Sequence, residues 1–154
     1  MKVALGQDSH KIDYKNTNKK LILAGIEFEE KMSIVANSDG DVVLHAITNA
    51  ISGITGKNIL GEIADDMCKN KGITDSVEYL KEAKKYLTNE IIHLSISIEC
   101  KTPKISPRIQ EMRKNLSTTI PERAEIIVQK GINRERLRAD GPNKPNKSDK
   151  APVW

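Results

Sequence analysis

Two hydrophobic periods alternate along this chain, and that alternation constrains its fold more than any other feature. From about Asp41 to Ile54, Val43, Ile47, Ala50, Ile51 and Ile54 recur at helical spacing, and Gly53 and Gly56 suit a helix end. From His93 to Cys100, Leu94, Ile96 and Ile98 alternate with Ser95, Ser97 and Glu99, as in a half-buried strand. A chain that switches between these periods packs helices on a sheet, which excludes all-helical and all-β folds.

Other segments fill in the order. Lys2 to Gly6 is short and mostly apolar and reads as a strand; Lys15 to Lys20 is a basic, Asn-rich loop. Leu21–Leu23 and Ile26–Phe28 flank Ala24-Gly25 and predict a hairpin or bent strand pair. Lys57 to Thr74 has no clean period and reads as a long irregular segment. Asp75-Ser76-Val77-Glu78 has the capping-box form, predicting a helix to about Leu87. Ser106-Pro107 supplies an N-cap and N1 pair for a helix to about Thr118, and Glu125 to Gln129 reads as a strand. The expected order is β-β-β-α-α-β-α-β, an α/β or α+β sandwich.

Composition narrows the function. Of 154 residues only 3% are aromatic, which argues against base-stacking surfaces and makes nucleic acid an unexpected partner. The core must come from Ile, Leu, Val and Ala. The net charge of +4 is mild. Cys68 and Cys100 form no disulfide framework and no metal pair, which fits free thiols in a reducing compartment. No apolar run approaches the roughly 18 residues of a membrane span, and no targeting peptide is evident, so a cytoplasmic protein without a membrane partner is expected. After Leu137 the composition changes. Pro142, Pro145, Pro152, Lys144, Lys147 and Lys150 mark residues 138–154 as a basic tail expected to be disordered, beside a folded domain of residues 1–137.

Two short pieces carry chemistry. Asp8 and His10 are two apart at the end of the first strand-like run, where side chains share a face, so a carboxylate and an imidazole can reach one point. In Asn37-Ser38-Asp39-Gly40-Asp41, Gly40 permits a tight turn, and the N–H groups of the helix start can hold an anion. His45 lies one turn on, on the same face as Asp41, as a metal ligand or acid/base with Asp41 as its orienting carboxylate. Taken alone, the same residues also read as a Ser38 or Asp39 helix cap beside an ordinary histidine.

Together, Asp8-x-His10 and Ser38-Asp39-Gly40-Asp41-x-x-x-His45 resemble the signature of the 2-C-methyl-D-erythritol 2,4-cyclodiphosphate synthases of non-mevalonate isoprenoid synthesis. Gly72, Asp75-Ser76 and Leu80 resemble the opening of the family's middle helix. Lys101-Thr102-Pro103-Lys104-Ile105-Ser106-Pro107, followed by Met112-Arg113, is similar to its pyrimidine-binding turn and next helix.

The resemblance implies a homotrimer of α/β subunits, each a four-stranded mixed sheet with helices on one face plus a small hairpin, with active sites between neighbours. It implies zinc on Asp8, His10 and His45, with the fourth position left for a substrate phosphate oxygen. It implies magnesium, or manganese, on Glu135, within the stretch Lys130 to Leu137. Asn37, Ser38 and Glu135 take the catalytic positions. Ser38, Asn58, Ile59, Asp65, Pro103, Lys104, Asn133 and Arg134 take the positions that contact a cytidine-bearing diphosphate substrate. The implied reaction is an intramolecular phosphoryl transfer that releases CMP and closes a cyclic diphosphate.

The chain departs from the family pattern at several points. Asn37 replaces a histidine, Asn49 an aspartate and Leu60 a glycine, and the lid motif is reduced to Ile63-Ala64-Asp65. Asn133 and Arg134 stand where the family has threonines, and Arg is a good phosphate partner. These departures leave two readings open: a divergent synthase with compensating substitutions, or a catalytically impaired zinc-binding paralogue that holds a nucleotide or isoprenoid diphosphate.

Overall fold

A computed structural model describes residues 1–121 and 123–131. The strands are β1 (Ile12–Asp13), β2 (Leu21–Leu23), β3 (Ile26–Phe28), β4 (Ser33–Ile34), β5 (His93–Ile98) and β6 (Glu125–Lys130). The helices are α1 (Val42–Thr55), α2 (Ala64–Lys69), α3 (Ser76–Lys84) and α4 (Ile109–Leu116). The mixed α/β class and the order of its larger elements follow the expectation.

Helix α1 forms as its period requires. Asp41 caps it, accepting from Val43 N and Leu44 N, and Gly56 ends it in the left-handed region. Its inner face buries Val43, Leu44, Ile47 and Ile51. The hairpin β2–β3 adds Leu21, Leu23, Ile26 and Phe28; α3 adds Tyr79, Leu80 and Ala83; α4 adds Met112 and Leu116. Each such large side chain contributes about 1.5–3 kcal/mol on burial. β5 and β6 pair in parallel, Leu94 opposite Ile126 and Ile96 opposite Val128, with α4 in the connection between them.

Several details differ from the sequence expectation. Lys2 to Gly6 is not a strand, because it lies along α1 instead of a strand edge: a Cβ on Gly6 would run into the Ala46 carbonyl, while Val3 and Leu5 face outward. Without it, the described strands form three two-stranded pairs, β1–β4, β2–β3 and β5–β6, and no four-stranded sheet. β1 and β4 are only two residues each, too short to leave an alternating pattern.

The segment expected to be irregular holds a wide helical turn at Ile59–Ile63 and then α2. Ile59 and Met67 anchor these to the core, but such a short helix shows no period. Ser106 does not cap α4; Ser106–Arg108 forms a 3-10 turn ahead of it, with Pro107 inside that turn. α3 ends at Lys84, short of Leu87. The Leu137 boundary and the tail lie outside the described residues. Among those residues no helix is long and apolar enough to cross a membrane, and Cys68 and Cys100 are free.

Candidate metal centre

Asp8, His10 and His45 meet although they come from different elements. Asp8 and His10 belong to the segment laid along α1, and Asn49 of α1 secures that segment by donating from Nδ2 to the Gln7 carbonyl at 3.1 Å. The sequence departure at Asn49 therefore has a local role: an amide donates to a carbonyl, which a carboxylate does not. His45 sits one turn into α1 and is buried.

Asp8 Oδ2 is 2.8 Å from His10 Nε2 and 3.1 Å from His45 Nδ1, and the two ring nitrogens are 3.3 Å apart. One ligand atom from each residue lies within 4.8 Å of the others, the only such described group of three or more His, Cys, Asp or Glu. Burial pushes the Asp8 carboxyl upward, but the hydrogen bond from His45 and the charges of His10 and His45 outweigh it and hold Asp8 below its ordinary range. Two imidazoles and one carboxylate form a nitrogen and oxygen donor set, and three protein ligands leave one tetrahedral position open. The residues present fit a zinc ion.

The turn before α1 is built differently from the expectation. Asp41 does not orient His45. Its fully buried carboxylate accepts from Val43 N and Leu44 N and, across to the hairpin, from Ala24 N at 2.9 Å and Gly25 N at 2.6 Å. Burial pushes this carboxyl up to about 6, against the pull of those backbone donors. The helix-start amides at Val43 and Leu44 are thereby used internally instead of facing an anion. Gly40, at φ 74, makes the turn in the left-handed region.

The groups that do touch His45 from behind are Ser76 and, through it, Asp39. His45 Nε2 is 2.8 Å from Ser76 Oγ, and Ser76 donates from its hydroxyl and its backbone N–H to the Asp39 carboxylate. From sequence, Ser76 stands in a capping box and at the opening of a helix. Its link to a residue thirty-one positions away had no sequence signal.

The remaining site residues divide. Ser38 Oγ lies 3.5 Å from His45 Nε2, next to the cluster, while Asn37 is exposed. A cleft of about 1090 Å³ runs from Asp8 and His10 past Met32 and Leu23 to Cys100, Thr102 and Pro103. Lys104 follows at its edge and is exposed. Asn58 and Asp65 are exposed and do not line this cleft, and the Ile59 side chain is fully buried in the core. Asn133, Arg134 and Glu135 lie outside the described residues.

Fold and site together define an α/β protein with a three-residue cluster able to hold a metal ion, of which Asp8 and His10 line a large cleft. Comparison makes the class specific. The YgbB family matches residues 1–145. A 2-C-methyl-D-erythritol 2,4-cyclodiphosphate synthase of Chlamydia trachomatis serovar A is 50% identical over 142 residues, covering 91% of this chain and 80% of the relative. The synthase of Chlamydia caviae is 46% identical over 121 residues, covering 77% and 69%.

Among solved structures, the bifunctional IspDF of Campylobacter jejuni aligns with TM-score 0.68 and 30% identity over 83% of this chain and 36% of that one. A CDP-bound 2C-methyl-D-erythritol-2,4-cyclodiphosphate synthase aligns with TM-score 0.71 and 23% identity over 84% and 89%, which shows the shared fold. The chain belongs to the YgbB family.

Proposed function

We propose that this chain is a cyclodiphosphate synthase, converting 4-diphosphocytidyl-2-C-methyl-D-erythritol 2-phosphate to 2-C-methyl-D-erythritol 2,4-cyclodiphosphate and CMP. The single observation that carries the reading is the convergence of Asp8, His10 and His45 on one point at the end of the cleft that reaches Pro103. The synthase names of close relatives support it.

In this reading Asp8 Oδ2, His10 Nε2 and His45 Nδ1 hold a zinc ion. Zinc supplies Lewis-acid polarisation of a phosphate oxygen. Ser38 stands beside His45 to take a phosphate oxygen through its hydroxyl, and Asn37 adds a neutral amide where the family has histidine. The turn at Cys100 to Lys104 faces the cytosine end. The covalent step is an in-line displacement within one substrate molecule: the terminal phosphate oxygen bonds to the distal diphosphate phosphorus, and the bond to CMP breaks. Positioning both phosphates supplies most of the rate. Glu135, with Asn133 and Arg134, is proposed to hold magnesium and the diphosphate, on sequence resemblance alone.

Assembly as a homotrimer belongs to the same proposal. Two features support it: Asn58 and Asp65 lie away from the cleft that holds Pro103, so one chain does not gather all the substrate residues. Val3 and Leu5 are 81% and 95% exposed, leaving apolar surface for a neighbour.

The test is incubation of the purified protein with the diphosphocytidyl substrate and magnesium, followed by phosphorus NMR. CMP appearing with a cyclic diphosphate is expected. A folded, metal-loaded protein that releases neither overturns the reading in favour of an impaired paralogue.

A further inference from the structure

We infer that Ser76 and Asp39 form a positioning relay that holds the His45 ring by its Nε2, so that its Nδ1 is turned to the Asp8–His10 cluster. The inference rests on the reading of that cluster as a metal site.

The hydrogen bonds run along one line from Asp39 through Ser76 to His45. The Asp39 carboxylate is acceptor-only when ionised, and both of its oxygens are engaged: one accepts from Ser76 N at 2.9 Å, the other from the Ser76 hydroxyl and from Asp41 N at 3.0 Å. The Ser76 hydroxyl proton therefore points at Asp39. That leaves the Ser76 oxygen as an acceptor toward His45 Nε2, 2.8 Å away, so Nε2–H donates to Ser76. Nδ1, 3.1 Å from Asp8 Oδ2 and 3.3 Å from His10 Nε2, is thereby the ring nitrogen turned to the cluster. Ser38 Oγ, at 3.5 Å from Nε2, is too far to compete.

The relay is fully shielded where it matters. Ser76 is 0% exposed and His45 only 7%. No water competes for a bond so enclosed. Asp39 is also held from two sides: its N–H donates to the Thr74 carbonyl, and its carboxylate grips the first residue of α3. The start of α3 thus fixes a ring on α1, and α3 in this way helps build the metal site without contributing a ligand. A ligating histidine commonly donates its far N–H to such a partner, and removing the partner costs about 10–100-fold in metal affinity.

Two measurements test this. The first uses the metal-free parent protein, where long-range proton–nitrogen correlation at about pH 8 reads the tautomer of each imidazole. The chain has three histidines, so comparison with His45→Gln assigns the signal. A proton on His45 Nε2 is expected; an Nε2 that carries none overturns the relay. The second is zinc affinity by competition with a chelating dye. Ser76→Ala should weaken zinc binding about 10–100-fold, while Ser76→Thr, which keeps the hydroxyl, should stay within about threefold of the parent. Ser76→Ala binding zinc as the parent does refutes the relay. A merely structural role for Ser76 would lower the unfolding midpoint and leave tautomer and affinity unchanged. A parent protein that binds no zinc sinks the metal reading itself, and the tautomer measurement then judges the relay separately.

Discussion

Replacing Asp41 by alanine removes one carboxylate that four backbone amides use. Two of them, Val43 N and Leu44 N at 3.1 Å, open α1, and losing such a cap costs about 0.5–2 kcal/mol. The other two, Ala24 N and Gly25 N, belong to the hairpin turn, and Ala24 is completely buried. Leaving them unpaired costs about 1–3 kcal/mol each. The hydrogen-bond loss is thus about 2.5–8 kcal/mol, a large part of the 5–15 kcal/mol typical of a domain.

An opposing effect depends on pH. Burial raises the Asp41 carboxyl from 3.8 to about 6, so the folded protein prefers it neutral. Its contribution to stability is full below the unfolded value near 4 and is lost as pH rises through about 6. Between about pH 5 and pH 7.5 the parent should lose about 1.4 kcal/mol through this one group, and Asp41→Ala should not. The assay is urea unfolding of both proteins at the two pH values. The gap between them should be wider at the lower pH. A gap that widens toward neutral pH would mean that the four donors outweigh burial. A variant within about 0.5 kcal/mol of the parent at pH 5 would refute the account of how the hairpin is tied to α1.

Further expectations concern parts that carry the site. Gly6→Ala should lower stability by about 1–3 kcal/mol and weaken zinc binding, because its Cβ meets the Ala46 carbonyl and Ala50 and lifts the Asp8 segment off α1; calorimetry and metal titration check both. Lys19→Met should speed amide exchange across residues 35–40, since Lys19 Nζ donates to the carbonyls of Ala36 at 2.9 Å and Ile34 at 3.4 Å, and also to that of Ser38. Unchanged exchange there would refute that role. Tyr79→Phe should cost about 0.5–1.5 kcal/mol in urea unfolding, because its hydroxyl donates to the Ile73 carbonyl at 2.6 Å and holds the approach to α3; a neutral substitution would contradict it.

Much of this architecture was legible because local rules and burial agree. The period of α1, the Asp75 cap of α3, the hairpin around Ala24-Gly25 and the alternation of β5 all state their faces directly. The convergence of Asp8, His10 and His45 was legible as well, through Asp8-x-His10 and a histidine one turn after a Gly-containing turn. What stayed hidden depends on contacts distant in sequence. Lys2 to Gly6 has a strand's composition, yet small residues lay it along a helix. Asp41 has the spacing to orient His45, but the hairpin amides claim it. Ser76 orients His45 in its place, by a contact that only the packing of α3 on α1 creates.

The central claim is that Asp8, His10 and His45 form one metal centre. Zinc content per chain, by elemental analysis of protein dialysed against trace zinc, tests it most directly. Close to one zinc per chain is expected in the parent, and well below that in His45→Ala and His10→Ala at unchanged folding. A parent that retains no zinc, or a His45→Ala protein that retains as much as the parent, would contradict it.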